Sequence, residues 1–399
     1  MQRIRAKRVS LTLVLALETK EGTKKMFIYA DESGHSGRHI FNEPSYYFQG
    51  AIISDIDPEP LLYPLAEKYR QELCVERLHA NELKPHIVER IAASFLLLLD
   101  KANLVFHLTR IEKPYLAVTK FVDSLFDSYE NQAVPWLWYN HELFRHTLCC
   151  LFDTILPEQK KREFWGAYLK DDYDGIVSIV KWIIDILDSF ELDRRLEEVV
   201  RSGLSFALKY PEEITLMASS TRKSYKGHTP NMVAFSSLIY AIHDFCKENN
   251  LVPEAFVHDP QSEFGPMMKE YHEMLSKVRA VPNSTGLPAM PENVDYDLGK
   301  FSLTPSKHLM SLQAVDLFIW LSQRADRIKS PGLVRSLRDK TDPFYISRST
   351  SEMIVFAWHY KLSNTSLTEE QIREATEMIA EMNRLQKKKL RDFESEKYK

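Results

Sequence analysis

One carboxylate constrains this chain more than any other residue. Asp316 stands in Leu309-Met-Ser-Leu-Gln-Ala-Val-Asp316-Leu-Phe-Ile-Trp-Leu321, a run that is apolar on nearly every side when wound as a helix. A helix apolar all round belongs inside a protein. A carboxylate carried in with it is costly unless it is paired or bound to metal. Its helical neighbours at three and four residues are Leu312, Gln313, Ile319 and Trp320, with no cation among them, so any partner comes from elsewhere in the chain. A buried Asp–Arg pair and metal ligation both meet that demand. Each needs a core that encloses the helix, and 399 residues allow two or three domains.

Composition narrows the class. Hydrophobic residues make up 44% and charged residues 27%, the ordinary globular mix, which argues against a disordered chain. The twelve glycines are about 3% of the chain, under half the usual ~7%, and tight-turn β architectures need more. The chain therefore reads as helix-rich. With 52 Lys+Arg against 56 Asp+Glu, a net charge of −4 excludes bulk attraction of nucleic acid, so such a function needs a local basic surface. Cys74, Cys149, Cys150 and Cys246 form no CxxC pair and no disulfide framework, the pattern of a reduced, cytoplasmic setting. No apolar run reaches the ~18–20 residues of a membrane span.

Residues 1–25 place Arg3, Arg5, Lys7 and Arg8 ahead of an apolar stretch over 9–17, in the outline of a signal peptide, but no A-x-A-like site follows. They read as a non-native or disordered extension, with Met26 as the true start. Without their seven basic and two acidic residues, 45 basic face 54 acidic ones, a net −9.

Apolar β-formers bounded by polar and Gly residues predict strands over 26–30 and 46–53, alternation predicts one over 104–111, and another apolar run covers 255–258. Helices are expected over 59–73, 85–99 (opened by Pro85), 232–247, near 267–279, over 307–323 and over 351–362. A further, final helix opens on a capping box, Thr368-x-x-Gln371, with an apolar stripe of Ile372, Ala375, Ile379 and Met382. Residues 112–229 are a succession of helix-compatible patterns. Strands alternating with helices predict an α/β fold with helices on the faces of the sheet, and polar side chains at the strand ends as the place for a site.

Asp31 follows a buried strand directly, and Glu32 points to the opposite side if the strand continues. Asp259 repeats the feature after His258. Glu82, in His79-Ala-Asn-Glu82-Leu-Lys84, offers a further carboxylate ahead of a helix. Three or four carboxylates from separate elements suit Mg²⁺ or Mn²⁺, hard ions that prefer oxygen ligands. Two such ions stabilise both the attacking and the leaving oxygen of a phosphodiester displacement. The His pairs His35/His39 and His79/His86 lack a zinc pattern. No P-loop, Rossmann or nucleophile-elbow signature is present. The basic loop with Arg222, Lys223, Tyr225 and Lys226 suits a nucleic-acid backbone and a stacked base, or is simply solvated.

Ile28-Tyr-Ala-Asp-Glu-Ser-Gly34 resembles the prokaryotic family called domain of unknown function 3800. Its other marks match here in order as Glu82-Leu83-Lys84, Asp259 after a strand, and Gln313-Ala-Val-Asp316 on a late helix. The resemblance implies a ribonuclease H-like mixed sheet flanked by helices, an acidic metal-dependent site, and an association with mobile elements or antiviral defence. It covers roughly 26–110 and 230–327. Val315 replaces the usual small residue before the Asp, and 112–229 lies outside it.

The resulting expectation is a core in two parts, 26–111 and 230–327, with a large helical insertion at 112–229 and a helical C-terminal extension at 328–399. Its function would be a nuclease acting on DNA or RNA, with Asp31, Glu82, Asp259 and Asp316 as catalytic metal ligands. Glu32, His258 and Gln313 would support them or move protons, and Lys84 and the 222–226 loop would hold the backbone. The rival is a non-catalytic module that binds nucleic acid or, through the helical insertion, a protein.

Overall fold

Six strands form one sheet in a computed structural model that describes residues 24–34, 37–214, 224–276 and 298–397. They are β1 (Lys24–Ser33), β2 (Tyr46–Ser54), β3 (Val105–Glu112), β4 (Leu251–His258), β5 (Lys300–Leu303) and β6 (Thr341–Ile346), in the order β5-β4-β1-β2-β3-β6. β1 lies centrally, antiparallel to β2 and parallel to β4, and β4 is parallel to β5. The fold is therefore α/β with a mixed sheet flanked by helices.

The chain divides into two compact units. The first comprises Met1–His35, Tyr47–Arg110 and Asn231–Phe344. Its helices are α1 (Glu59–Leu73), α2 (Pro85–Leu99) and, after a second unit intervenes in sequence, α9 (Pro230–Asn249), α10 (Gly265–Ser276), α11 (Met310–Gln323) and α12 (Pro331–Lys340). The second comprises Ser36–Tyr46, Ile111–Pro230 and Tyr345–Lys399. It holds α3 (Lys113–Leu125), α4 (Trp136–Asn140), α5 (Glu142–Ile155), α6 (Glu158–Tyr168), α7 (Tyr173–Leu187), α8 (Arg194–Lys209), α13 (Arg348–Ser363) and α14 (Glu369–Lys397). Buried Phe121, Phe126, Phe152 and Phe164 pack their rings together there in tilted and edge-to-face pairs. Buried Asn131 ties the backbone of Leu125 to that of Gly203 at 2.7 and 2.9 Å. The capping box of α14 forms in both directions, at 3.0 and 3.2 Å.

In the first unit the two faces of the sheet differ. Ile28, Ala30, Ala51, Ile53 and Phe256 pack against Met232, Phe235, Leu238 and Ile239 of α9 and Met268 of α10. On the opposite face α11 crosses β1 and packs with α1 and α2. Gly50 makes that approach possible, since a Cβ there would meet Ile319 Cγ1 at 2.7 Å and Phe106 Cζ at 2.8 Å. Glu59 of α1 fixes the start of α11, which has no cap of its own. Its two carboxylate oxygens accept the Met310 and Ser311 N–H groups at 2.7 and 2.8 Å, and the Ser311 hydroxyl at 2.7 Å.

Three expectations change. β1 begins at Lys24, inside the stretch read as an extension, because parallel pairing carries Lys24 and Lys25 alongside Leu251 and Val252; residues 1–23 lie outside the described residues. The same strand runs on through Asp31 and Glu32 to Ser33; the turn comes at Gly34 and Gly37, whose φ angles of 109° and 54° favour glycine. Finally, the segment 328–399 is not wholly helical, since it supplies β6 at the edge of the sheet. Asp342 and Pro343 mask that strand in the sequence, and an edge is where a strand tolerates proline.

Replacing Gly50 by Ala should force α11 away from the sheet. The expected destabilisation is about 1–3 kcal/mol, read as a lower urea midpoint with an unchanged slope; an unchanged midpoint would contradict the close approach.

Candidate functional site

Pairing register decides which side chains meet. Asp31 faces Gly50 across the β1–β2 ladder and Glu32 faces Gln49. Directly opposed residues share a face and successive residues alternate, so the two acids part. Asp31 goes to the α11 side and Glu32 to the α9 side.

On the α11 side three aspartates act on one another. Asp259 sits just past β4, its own N–H donating to Ala30 O at 3.0 Å. Asp316 comes from the middle of α11. Burial pushes the Asp31 carboxyl well above the usual range, and the charges of Glu32, Asp259 and Asp316 push it further. Burial also raises Asp259, against the Ser306 N–H, Arg77 and His79. It raises Asp316 too, against the Ala80 N–H, His79 and Arg77, with Asp259 adding to the rise. Each carboxylate spends one oxygen on a backbone N–H: Asp31 on Glu32 at 2.7 Å, Asp259 on Ser306 at 2.6 Å and Asp316 on Ala80 at 2.7 Å.

Gln313, one turn before Asp316, holds the two loops that supply these donors. Its Oε1 accepts the Leu78 N–H at 2.8 Å and its Nε2 donates to Ser306 O at 2.9 Å. The segment carrying Ala80 and the turn carrying Ser306 are thus fastened to one buried amide. The sequence motif Gln313-Ala-Val-Asp316 acquires a physical meaning: clamp and carboxylate on one helical face.

On the α9 side, His258 is fully buried and its pKa falls to about 4 through burial. Its Nδ1 lies 2.8 Å from Asp259 O and its Nε2 3.2 Å from Gln49 Nε2. A carbonyl accepts only from Nδ1–H and an amide nitrogen donates only to bare Nε2, so the geometry assigns the neutral Nδ1–H tautomer. Glu32 Oε2 is 3.9 Å from that Nδ1. Burial raises the Glu32 carboxyl to about 8, with the Gln261 side chain opposing.

Other expected residues are placed differently. Glu82 turns outward to Arg77, Oε1 to Nη2 at 2.5 Å, and that partner lowers its pKa. Lys84 is exposed at the start of α2. Arg222 and Lys223 lie outside the described residues, as does the side chain of Tyr225. Lys226 belongs to the second unit, in a 3-10 turn over Ser224–His228. Two residues were not expected at the site: Arg77, whose charge acts on Asp316 and Asp259, and His79, with Nδ1 3.6 Å from Asp316 Oδ2. Their position just ahead of Glu82 was the available signal.

The donor set is of the kind a hard divalent cation takes, one buried and two half-buried carboxylates that each bond a backbone N–H through one oxygen. Among the described residues, no group of three or more His, Cys, Asp or Glu side chains closes on a single metal position. No helix among them is long and apolar enough to cross a membrane. No protein-family model, curated protein or solved structure matches the chain.

Two outcomes follow. A carboxyl whose folded pKa is raised binds protons that the unfolded chain releases, so stability is lost as pH rises. For Glu32 the window runs from 4.5 to about 8. In EDTA the melting temperature should fall across this window, and Glu32→Gln should flatten the fall; a flat profile in the wild type would count against the buried carboxyl. Separately, Gln313→Met should cost about 1–3 kcal/mol and speed amide exchange around both Leu78–Ala80 and Ser306, while exchange in α1 stays unchanged.

Proposed function

We propose that the protein is a metal-dependent nuclease on a ribonuclease H-like core, as the resemblance of Asp31-Glu-Ser-Gly34 and Gln313-Ala-Val-Asp316 to domain of unknown function 3800 implies. The observation that supports it most is that Asp31, buried, and Asp259 and Asp316, half-buried, come from three distant parts of the chain and lie near enough for the charges of Asp259 and Asp316 to raise Asp31, and that of Asp259 to raise Asp316. Ordinary apolar packing gives no reason to gather three such groups, whose charge His79, Arg77 and, at Asp316, Arg324 oppose. Bound Mg²⁺ or Mn²⁺ would supply charge neutralisation and an activated water for phosphodiester hydrolysis.

Asp31, Asp259 and Asp316 would hold the cation through the oxygens not committed to Glu32, Ser306 and Ala80. Gln313 keeps the spacing of the last two. Glu82 would join them by leaving Arg77. His258, with Nδ1–H on Asp259 O, orients the backbone beside Asp259. Lys84 and the 222–226 loop are proposed contacts of the DNA or RNA backbone. The α3–α8 region, as the helical insertion of such a core, is proposed as a protein-docking segment.

One observation favours a second reading, a nucleic-acid-binding module without catalysis: no three donors converge on one metal position among the described residues. Labelled DNA and RNA incubated with Mg²⁺ or Mn²⁺ separate the two. Cleavage should appear with either ion and fall by about a hundredfold or more in Asp31→Asn and Asp316→Asn. Cleavage untouched by both substitutions would refute the nuclease assignment, and absent calorimetric binding of either ion would favour the module.

A further inference from the structure

We propose that the Arg77 guanidinium and the His79 ring N–H form a lip on the carboxylate site that grips a backbone phosphate of nucleic acid; the inference rests on the nuclease reading above. The segment alternates. Leu78 and Ala80 are fully buried, and their N–H groups bond Gln313 and Asp316. Arg77 and His79 therefore project outward from a strip whose backbone is anchored on α11. Their side chains keep 40% and 31% exposure, so a solvent-borne ligand reaches both.

Each side chain lies beside the site and keeps donors in reserve, with His79 Nδ1 3.6 Å from Asp316 Oδ2. The charges of Asp316 and Asp259 act on the Arg77 guanidinium, while Glu82 engages it through Nη2 alone. A guanidinium carries five N–H donors in a planar fork that matches two phosphate oxygens. His79 Nδ1 accepts the Asn81 N–H at 3.3 Å, which leaves the proton of the neutral ring on Nε2, free to donate. Three carboxylates attract a metal but repel a polyanion. In a chain of net charge −4, a local cationic contact beside them is what lets a phosphate approach.

Fluorescence anisotropy of the full chain with fluorescein-labelled single-stranded DNA and RNA oligonucleotides, in Ca²⁺ and over a salt series, tests the grip. Arg77→Gln and His79→Asn should each weaken binding about tenfold, and Arg77→Gln should flatten the slope of log Kd against log salt by about one phosphate. Arg77→Lys should recover the slope. Arg90→Gln, which removes a cation paired with Glu72 elsewhere on the first unit, should change neither. Because Arg77→Gln strands Glu82, the double variant Arg77→Gln/Glu82→Gln reads the same contact without an unpaired acid. Unchanged affinity and slope in Arg77→Gln and His79→Asn overturn the proposal, and so does a wild-type chain that binds neither oligonucleotide. Cleavage lost in Asp31→Asn alongside unchanged binding in Arg77→Gln removes the grip and leaves the nuclease reading. Normal cleavage in Asp31→Asn alongside weakened binding in Arg77→Gln removes the nuclease reading and leaves the grip.

Discussion

Two polar side chains one turn apart on a buried helix organise the first unit. Helix α11 is enclosed along most of its length, so the amide of Gln313 and the carboxylate of Asp316 must find partners inside the protein. They take the N–H groups of Leu78 and Ala80 and the carbonyl of Ser306. A buried amide that lost these bonds would strand polar atoms at a cost of about 1–3 kcal/mol. The helix therefore dictates the course of two loops, and those loops supply the donors that steady Asp259 and Asp316. Glu59 anchors the same helix at its start, and Gly50 lets it lie close enough to Asp31 for their charges to matter.

Electrostatic tension is the consequence. Each aspartate is raised chiefly by burial, and the hydrogen bonds and cations around it only partly offset that. On the opposite face, His258 and Gln49 consume one another's polar groups, yet Glu32 Oε2 and Gln49 Oε1 are buried without a partner among the described residues. A sheet that carries acids on both sides of one strand end holds two different environments within a residue of each other. One gathers three acids beside Arg77 and His79, and the other sets Glu32 near amides and a neutral imidazole while the charge of Asp259 still reaches it. That contrast follows from strand alternation alone.

Much of this was legible in the sequence, and the limits have physical causes. Helices over 59–73 and 85–99 were readable because proline, apolar spacing and polar stops agreed, and they form as Glu59–Leu73 and Pro85–Leu99. Asp316 declared itself by standing in an apolar helix without a local cation. The short edge strands β5 and β6 were not readable. β5 has four residues, and in β6 Asp342 and Pro343 interrupt the apolar run, so pairing with a neighbour, which no local pattern encodes, decides their state. The extent of β1 was hidden for a similar reason: Lys24 and Lys25 become strand only through β4. The placement of Arg77 and His79 beside the acids was not readable, because anchoring of Leu78 and Ala80 on α11, and not composition, sets it.

The scarcity of glycine now has a place in the argument. A chain with twelve glycines keeps few points where backbone can bend left-handed or pack without a side chain. Three of them cluster on the strands and turn that carry Asp31 and Glu32. Gly34 and Gly37 take positive φ directly after β1, and Gly50 lies opposite Asp31 beneath α11. A helix-rich chain spends little backbone freedom elsewhere. Its use here marks a place where strand end, turn and buried helix approach closely, beside Asp31. Packing and electrostatics thus select the same part of the fold: the missing side chain at Gly50 brings α11 down, and the helix then carries Asp316 near enough to Asp31 for its charge to raise that carboxyl.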